Sequence, residues 1–407
     1  MAHRGRTLVS VIIFFSVMFG DTTIASESWH GTEVFAAQDD QPPSVLASGE
    51  TVFGNTANME PTLDTLPAKR SSSTSGSATP GATGGVTVVA GGLTNPRGFD
   101  FAPDGSLAVA LAGQPGANAG VARIEGGCPE LIAQGLPAYR IVFGGVTGVA
   151  DVAYLGGQLY ALVSGGDIDR GGQPNGLYRL DGAGGVELIA NISAFIRDNP
   201  VVEIPGDYDT DGQPYAMLAM DDAFWVTEGN SNQVLRVGLD GSVSRVADLS
   251  RGHPIPTGIA PIPGGGAYVG YFSRAPYQEG IAKVVKVSQD GTVSDVWTGL
   301  TLITALAVGP DGALYALEMA TDHGDDPGSI TQGTGRVVRM VGPAEGEPVV
   351  TGLPLPAAMA FGPDGALYIS SPVFGEDDGQ GTILRIDLSA GEPVAIPTDL
   401  PAGPSCA

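Results

Sequence analysis

The heptapeptide GPDGALY stands at residues 309–315 and again, letter for letter, at 362–368, with a near copy, APDGSLA, at 102–108. Weaker relatives are YLGGQLY (154–160), AMDDAFW (219–225) and IPGGGAY (262–268). The six copies begin at 102, 154, 219, 262, 309 and 362, a spacing of roughly fifty residues. Self-similarity at this period marks a repeat architecture, in which each unit buries its apolar faces only against its neighbours.

Each unit has the same internal order. The first reads NPRGFDFAPDGSLAVAL (95–111): apolar alternation, a Pro-Asp-Gly turn, then a second alternation. Asp-Gly between two such runs predicts a hairpin, because glycine accepts the positive φ of the turn. A third strand follows in QVLRVGLDG (233–241), KVVKVSQDG (283–291), RVVRMVG (336–342) and TILRIDL (382–388). A fourth follows in VELIANI (186–192), SVSRVADL (242–249) and TVSDVWTGL (292–300). The 62 Gly and 31 Pro suit turns rather than helices, and no amphipathic helical stretch competes. Four antiparallel strands, six times over, predict an all-β six-bladed propeller beginning near Val86 and running to 407. The heptapeptide is then the hairpin tip between each blade's first two strands.

Upstream lies an address. Arg4 and Arg6 precede the apolar run Leu8–Phe19, and Thr23, Ile24 and Ala25 follow. That order predicts a secretory signal peptide over 1–25, with cleavage after Ala36 as an alternative to Ala25. The apolar run is too short to cross a bilayer comfortably, so no membrane span is expected in the mature chain. Residues 26–85 end in SSSTSGSATPGATGG (71–85), which can bury almost nothing and predicts a disordered linker. The expected location is outside the cytoplasm: secreted, periplasmic or at the cell surface.

With 19 Lys+Arg against 44 Asp+Glu, the formal net charge is −25. Such a chain repels phosphate, which excludes nucleic acid as a partner. Within the repeat, Pro-Asp-Gly turns fall on one face, and the long loops SGGDIDRGGQPNG (164–176), 191–214, YFSRAPYQEG (271–280) and 318–335 fall on the other. Function on a propeller concentrates on such loops. The stretches GLTNPRGFDFAPDGSLAVA, PYAMLAMDDAFWVTEGNSNQVLRV and IPTGIAPIPGGGAYVGYF resemble the ScyD/ScyE family, exported propellers of the broader NHL and TolB-like six-bladed group. The resemblance covers 86–400 and implies the fold, without a transferable catalytic signature.

The central mouth is read from the residues that open each first strand: Arg97, Ala150 or Asp151, Tyr215, Thr257, Thr304 and Ala357. Arg97, Asp151, Tyr215, Thr257 and Thr304 are the candidate binding residues. The set carries too few carboxylates for the cation site of lactonase-type propellers, because a hard cation wants six or more oxygens. His253 and His323 share the loop-rich face, with Glu318 near His323, and form a candidate acid–base group. Two surface histidines are the alternative. The loop DYDTDG (207–212) matches the first half of an EF-hand-type calcium loop through Asp207, Asp209, Asp211 and Gly212. Position twelve is Leu218 rather than Glu, so an acidic solvated loop built on Asx turns is the alternative.

Cys128 and Cys406 are the two cysteines. Export and an even count predict a disulfide between them, against two free thiols. The tail reaches Cys128 with length to spare if VTVVA (86–90) supplies the outer strand of the last blade; a second layout uses PVAIP (393–397) there, and the residues after Pro397 are still long enough to reach. The functional expectation is a binding or interaction module that engages a small molecule, glycan or protein through its acidic loop face. The alternative is a propeller enzyme, lyase- or oxidoreductase-like, working at the mouth.

Overall fold

The computed structural model describes residues 11–12, 85–140, 145–323, 329–373, 379–388, 392–400, 403–404 and 406. The signal peptide and linker expected before Gly85 lie outside these residues, apart from the pair at 11–12. Six antiparallel sheets follow one another as blades. Their innermost strands are Pro96–Phe101, Val149–Leu155, Pro214–Ala219, Pro256–Pro261, Ile303–Val308 and Ala358–Phe361. Blades pack face to face: Leu162 and Leu177 of the second blade share a buried cluster with Phe224 and Leu235 of the third.

The geometry accounts for most letters of the repeated phrase. Asp311 Oδ1 accepts the Ala313 N–H at 3.1 Å, closing an Asx turn. Its Oδ2 accepts from the Tyr315 hydroxyl at 3.2 Å and from Arg339 Nε of the third strand at 2.8 Å. Gly312 takes φ +76°. A Cβ on Gly309 would stand 2.5 Å from the Tyr315 ring, so the first glycine makes room for the last residue. Leu314 is core. Asp364, Tyr368, Arg385 and Gly362 repeat the arrangement in the sixth blade. Partial burial raises the Asp311 carboxyl, but the bonds from Arg339, Ala313 and Tyr315 outweigh it and leave its pKa below the ordinary value. Gly309→Ala should destabilise the fold by about 1–3 kcal/mol through overpacking. In a Tyr315→Leu background the penalty should shrink, because the ring that the methyl strikes is gone. Urea unfolding of the single and double variants measures both.

The ring closes through its first strand. Val86–Leu93 pairs antiparallel with Gly381–Ile386, from Val86 opposite Ile386 to Leu93 opposite Gly381, and is the outer strand of the sixth blade. The layout with 393–397 in that place is overturned: Val394–Ala395 runs parallel to the outer strand of the fifth blade, beside Val350 and Thr351. An eight-residue strand satisfies more backbone groups there than the short tail segment can. Val394 and Ile396 instead sit in one cluster with Val86, Val88, Leu384 and Val350. The tail then passes Gly91 and Gly127, where a Cβ on Gly127 would meet Pro404 Cγ at 2.3 Å. It ends in the Cys128–Cys406 disulfide, with Cα atoms 5.5 Å apart.

One short helix lies in a loop between blades. The segment 191–214, read from sequence as loop, contains the helix Ile192–Asp198. Asn191 caps it, its Oδ1 accepting the Ala194 N–H at 2.8 Å, and Ile192 and Ile196 are buried. Two apolar positions four apart are too short a signal to be read as a helix from sequence.

Candidate functional site

A cavity of about 840 Å³ runs down the propeller axis. Arg97, Asp151, Tyr215, Thr257 and Thr304 all line it. Each stands at or near the start of an innermost strand, so together they form a ring just inside the loop face. Further along the same strands come Phe99, Met217, Leu306 and Met359. The mouth is bordered by Asp167, Asp169, Asp207, Asp209 and Asp211.

Most polar groups of this ring hold blades together. Asp100 Oδ2 accepts the Tyr154 N–H of the next blade at 2.8 Å, and Asp151 Oδ2 accepts that of Met217 in the third at 2.8 Å. Thr227 Oγ1 donates to Thr257 O at 2.6 Å, and Thr257 Oγ1 to Ile303 O at 2.5 Å. Thr304 Oγ1 continues the series toward Pro356 O at 3.4 Å. Each satisfies a buried backbone group across a blade boundary, where the sheet ladder cannot reach. Gly98 leaves the space that the Asp151 carboxylate fills; a Cβ there would stand 1.8 Å from Oδ1. Burial raises the Asp151 pKa to about 8 despite the bonds from Met217 and Val152. Arg97 donates to Val146 O at 2.6 Å, and burial lowers its pKa from the ordinary value.

The tyrosines differ. Tyr215 is half-buried against the cavity, and burial raises its pKa to about 12, with Arg97 opposing. Tyr277 is only 3% exposed yet lines the same cavity, packed edge-on against Phe272 with ring centroids 5.8 Å apart. Neither hydroxyl has a hydrogen-bond partner among the described residues. A buried phenol ordinarily finds a partner, so these two cavity-lining residues each keep an unmet donor. Tyr277 was not singled out in the sequence; an aromatic in the loop 271–280 was the available signal.

At the mouth, His253 is held between two loops. Asn232 Oδ1 accepts the Ile255 N–H at 2.7 Å, which turns its Nδ2 toward His253 Nδ1 at 2.7 Å. That places the imidazole proton on Nε2, 3.2 Å from Asp207 Oδ1. Of the candidate acid–base group, only His253 lines the cavity. Glu318 is fully buried in the fifth blade, where it accepts the Thr301 N–H at 2.6 Å and pairs with Arg336. His323 does not line the cavity either, and its carbonyl accepts the Ser329 hydroxyl at 2.6 Å.

The three aspartates of the DYDTDG loop reach the mouth with different partners. Asp209 Oδ1 accepts the Asp211 N–H at 2.9 Å, an Asx turn. Asp211 pairs with Arg197 of the helix at 3.1 Å, and Asp207 with His253. Among the described residues, no three His, Cys, Asp or Glu converge as a set that could hold a metal ion. Arg197 also pairs with Asp169 at 3.0 Å, so one guanidinium joins two of the mouth carboxylates.

No known protein-family model matches the chain, and no curated protein matches it. Solved structures do. An oxidoreductase described as a glucose dehydrogenase from Thermus thermophilus is 17% identical, with a TM-score of 0.54 over 74% of this chain and 99% of that one. The PQQ-bound aldose sugar dehydrogenase of Streptomyces coelicolor is 15% identical, with a TM-score of 0.52 over 76% and 100%. The likeness is one of fold: both share the six-bladed propeller. Among the described residues, no helix is long and apolar enough to cross a membrane.

Proposed function

We propose that this chain is an exported propeller that takes up a small organic molecule in its central cavity. The observation that carries the reading is the cavity itself. At about 840 Å³ it falls within the roughly 300–1,000 Å³ of small-molecule sites. Apolar side chains such as Phe99, Met217, Leu306 and Met359 share its wall with polar residues. Export is supported by the positively charged N-terminus, the apolar run after it and the Cys128–Cys406 disulfide. The resemblance of residues 86–400 to ScyD/ScyE propellers supports a place in that exported group. The acidic loops then serve as the rim through which a ligand enters, rather than as the docking face of a macromolecule.

A second reading, catalysis in the same cavity, is favoured by Asp151: a cavity-lining carboxyl with its pKa near 8 holds and releases a proton at working pH. Thermal-shift screening of the full chain against a library of neutral and singly charged organic molecules tests uptake. At least one compound should raise the melting temperature. Ala150, part-exposed on the cavity wall, replaced by Trp should abolish that rise by filling the space. A library without a single hit, or a hit indifferent to Ala150→Trp, overturns the cavity as the site.

A further inference from the structure

We infer that the molecule bound in the cavity is an uncharged, largely apolar carbonyl compound, held by hydrogen bonds from Tyr277 and Tyr215 to its carbonyl oxygen or oxygens. This rests on the reading of the cavity as a small-molecule site and adds the ligand's chemistry.

The argument begins with what the polar groups already do. The carboxylates of the inner ring, Asp100 and Asp151, accept backbone N–H groups of neighbouring strands. The threonine hydroxyls of the ring are directed at strand carbonyls. The donors left for a guest include the two tyrosine hydroxyls, Tyr277 and Tyr215, which lack partners among the described residues; the Ser164 hydroxyl and the O–H of Tyr139, whose oxygen accepts from Gln213, add further donors at the same cavity. A phenol is the better donor than acceptor, because its oxygen lone pair is delocalised into the ring. Burial raises the Tyr215 and Tyr277 phenols above their ordinary pKa, so both keep the proton that they donate.

Charge narrows the class further. The aspartates at the mouth oppose entry of an anion. A cation beside the inner ring, past the aspartates of the mouth, would lose its water without gaining a free carboxylate, since Asp100 and Asp151 are engaged and burial favours the protonated form of Asp151. A neutral acceptor meets neither penalty. The walls supply the rest: Phe99, Phe272, Met217, Met319 and Met359 offer aromatic and thioether surface, which favours flat or irregular apolar bodies.

The test uses the full chain and a matched pair, 9-fluorenone and fluorene, which differ in one carbonyl oxygen. Titration calorimetry should show fluorenone binding more tightly. The carbonyl stretch of the bound ketone should lie where a hydrogen-bonded ketone absorbs, rather than where one dissolved in alkane does. Tyr277→Phe and Tyr215→Phe should each weaken fluorenone by roughly two- to tenfold and leave fluorene unchanged, as expected for one neutral hydrogen bond. Both variants keep the ring, and an unaltered melting temperature confirms that they fold. Equal affinity for ketone and hydrocarbon, or equal losses for both in the variants, overturns the inference while leaving the cavity as a binding site. So does failure of both compounds when the library yields a ligand without a carbonyl group. A library without hits overturns the cavity reading itself.

Discussion

Cys406→Ser will lower the unfolding free energy of this protein by several kcal/mol, the largest single-residue effect expected. The bridge joins residues 278 apart and so closes a loop around the whole ring. Chain-entropy reasoning assigns such a loop about 5–6 kcal/mol, an upper figure because residual structure in the unfolded chain reduces it. The loss has a defined anatomy. Without the bridge, the tail that carries Val394 and Ile396 over the junction of the fifth and sixth blades is tethered at one end only. The outer strand Val86–Leu93 then loses the cover that passes beside Gly91. Unfolding of oxidised wild type, reduced wild type and Cys406→Ser in urea should place the last two together and well below the first. Three coincident curves would show that strand pairing alone closes the ring.

The second large effect depends on pH and belongs to Asp151. Its folded pKa is about 8 against an ordinary 3.8, and burial is the leading cause. The folded state therefore favours the protonated carboxyl. Its contribution is complete below about pH 4, declines as pH rises, and is gone above about pH 8. The full span corresponds to about 5–6 kcal/mol, an upper figure because water in the open cavity screens the charge. Asn cannot titrate, but its single acceptor oxygen cannot take both the Val152 and Met217 N–H groups, a fixed cost of about 1–3 kcal/mol. Wild type should be more stable than Asp151→Asn at pH 5 and less stable at pH 9. Urea unfolding at pH 5, 7 and 9 follows the crossover; a constant difference would mean that Asp151 is ionised throughout.

The repeat was legible because a propeller is a local code. Each blade is a meander whose turns, alternation and length are all written within about fifty residues, and the heptapeptide carries its own Asx turn, glycine space and tyrosine anchor. The ring of Arg97, Asp151, Tyr215, Thr257 and Thr304 was legible for the same reason, since the start of every first strand points to the axis. What those residues do there was not legible. Asp151 reads in sequence as a ligand-facing carboxylate; the structure spends it on the Met217 N–H of the next blade. Likewise Asp211 reads as a cation ligand, and a helix that sequence showed only as loop brings Arg197 against it.

The sequence by itself determined the fold class, the number of blades, the position of each hairpin and which residues open onto the axis. These follow from periodicity and turn chemistry, which act over a few residues. Only the tertiary structure decided which strand closes the ring, where the tail runs, and which polar side chains remain for a guest after the blades have been stitched together. Closure depends on the pairing of strands at opposite ends of the chain, and hydrogen-bond satisfaction depends on neighbours about fifty residues away. Tyr277 shows the difference: in sequence it is one aromatic in a loop, and only the packing of Phe272, Leu302 and Met319 around it turns its hydroxyl into an unmet donor at the cavity wall.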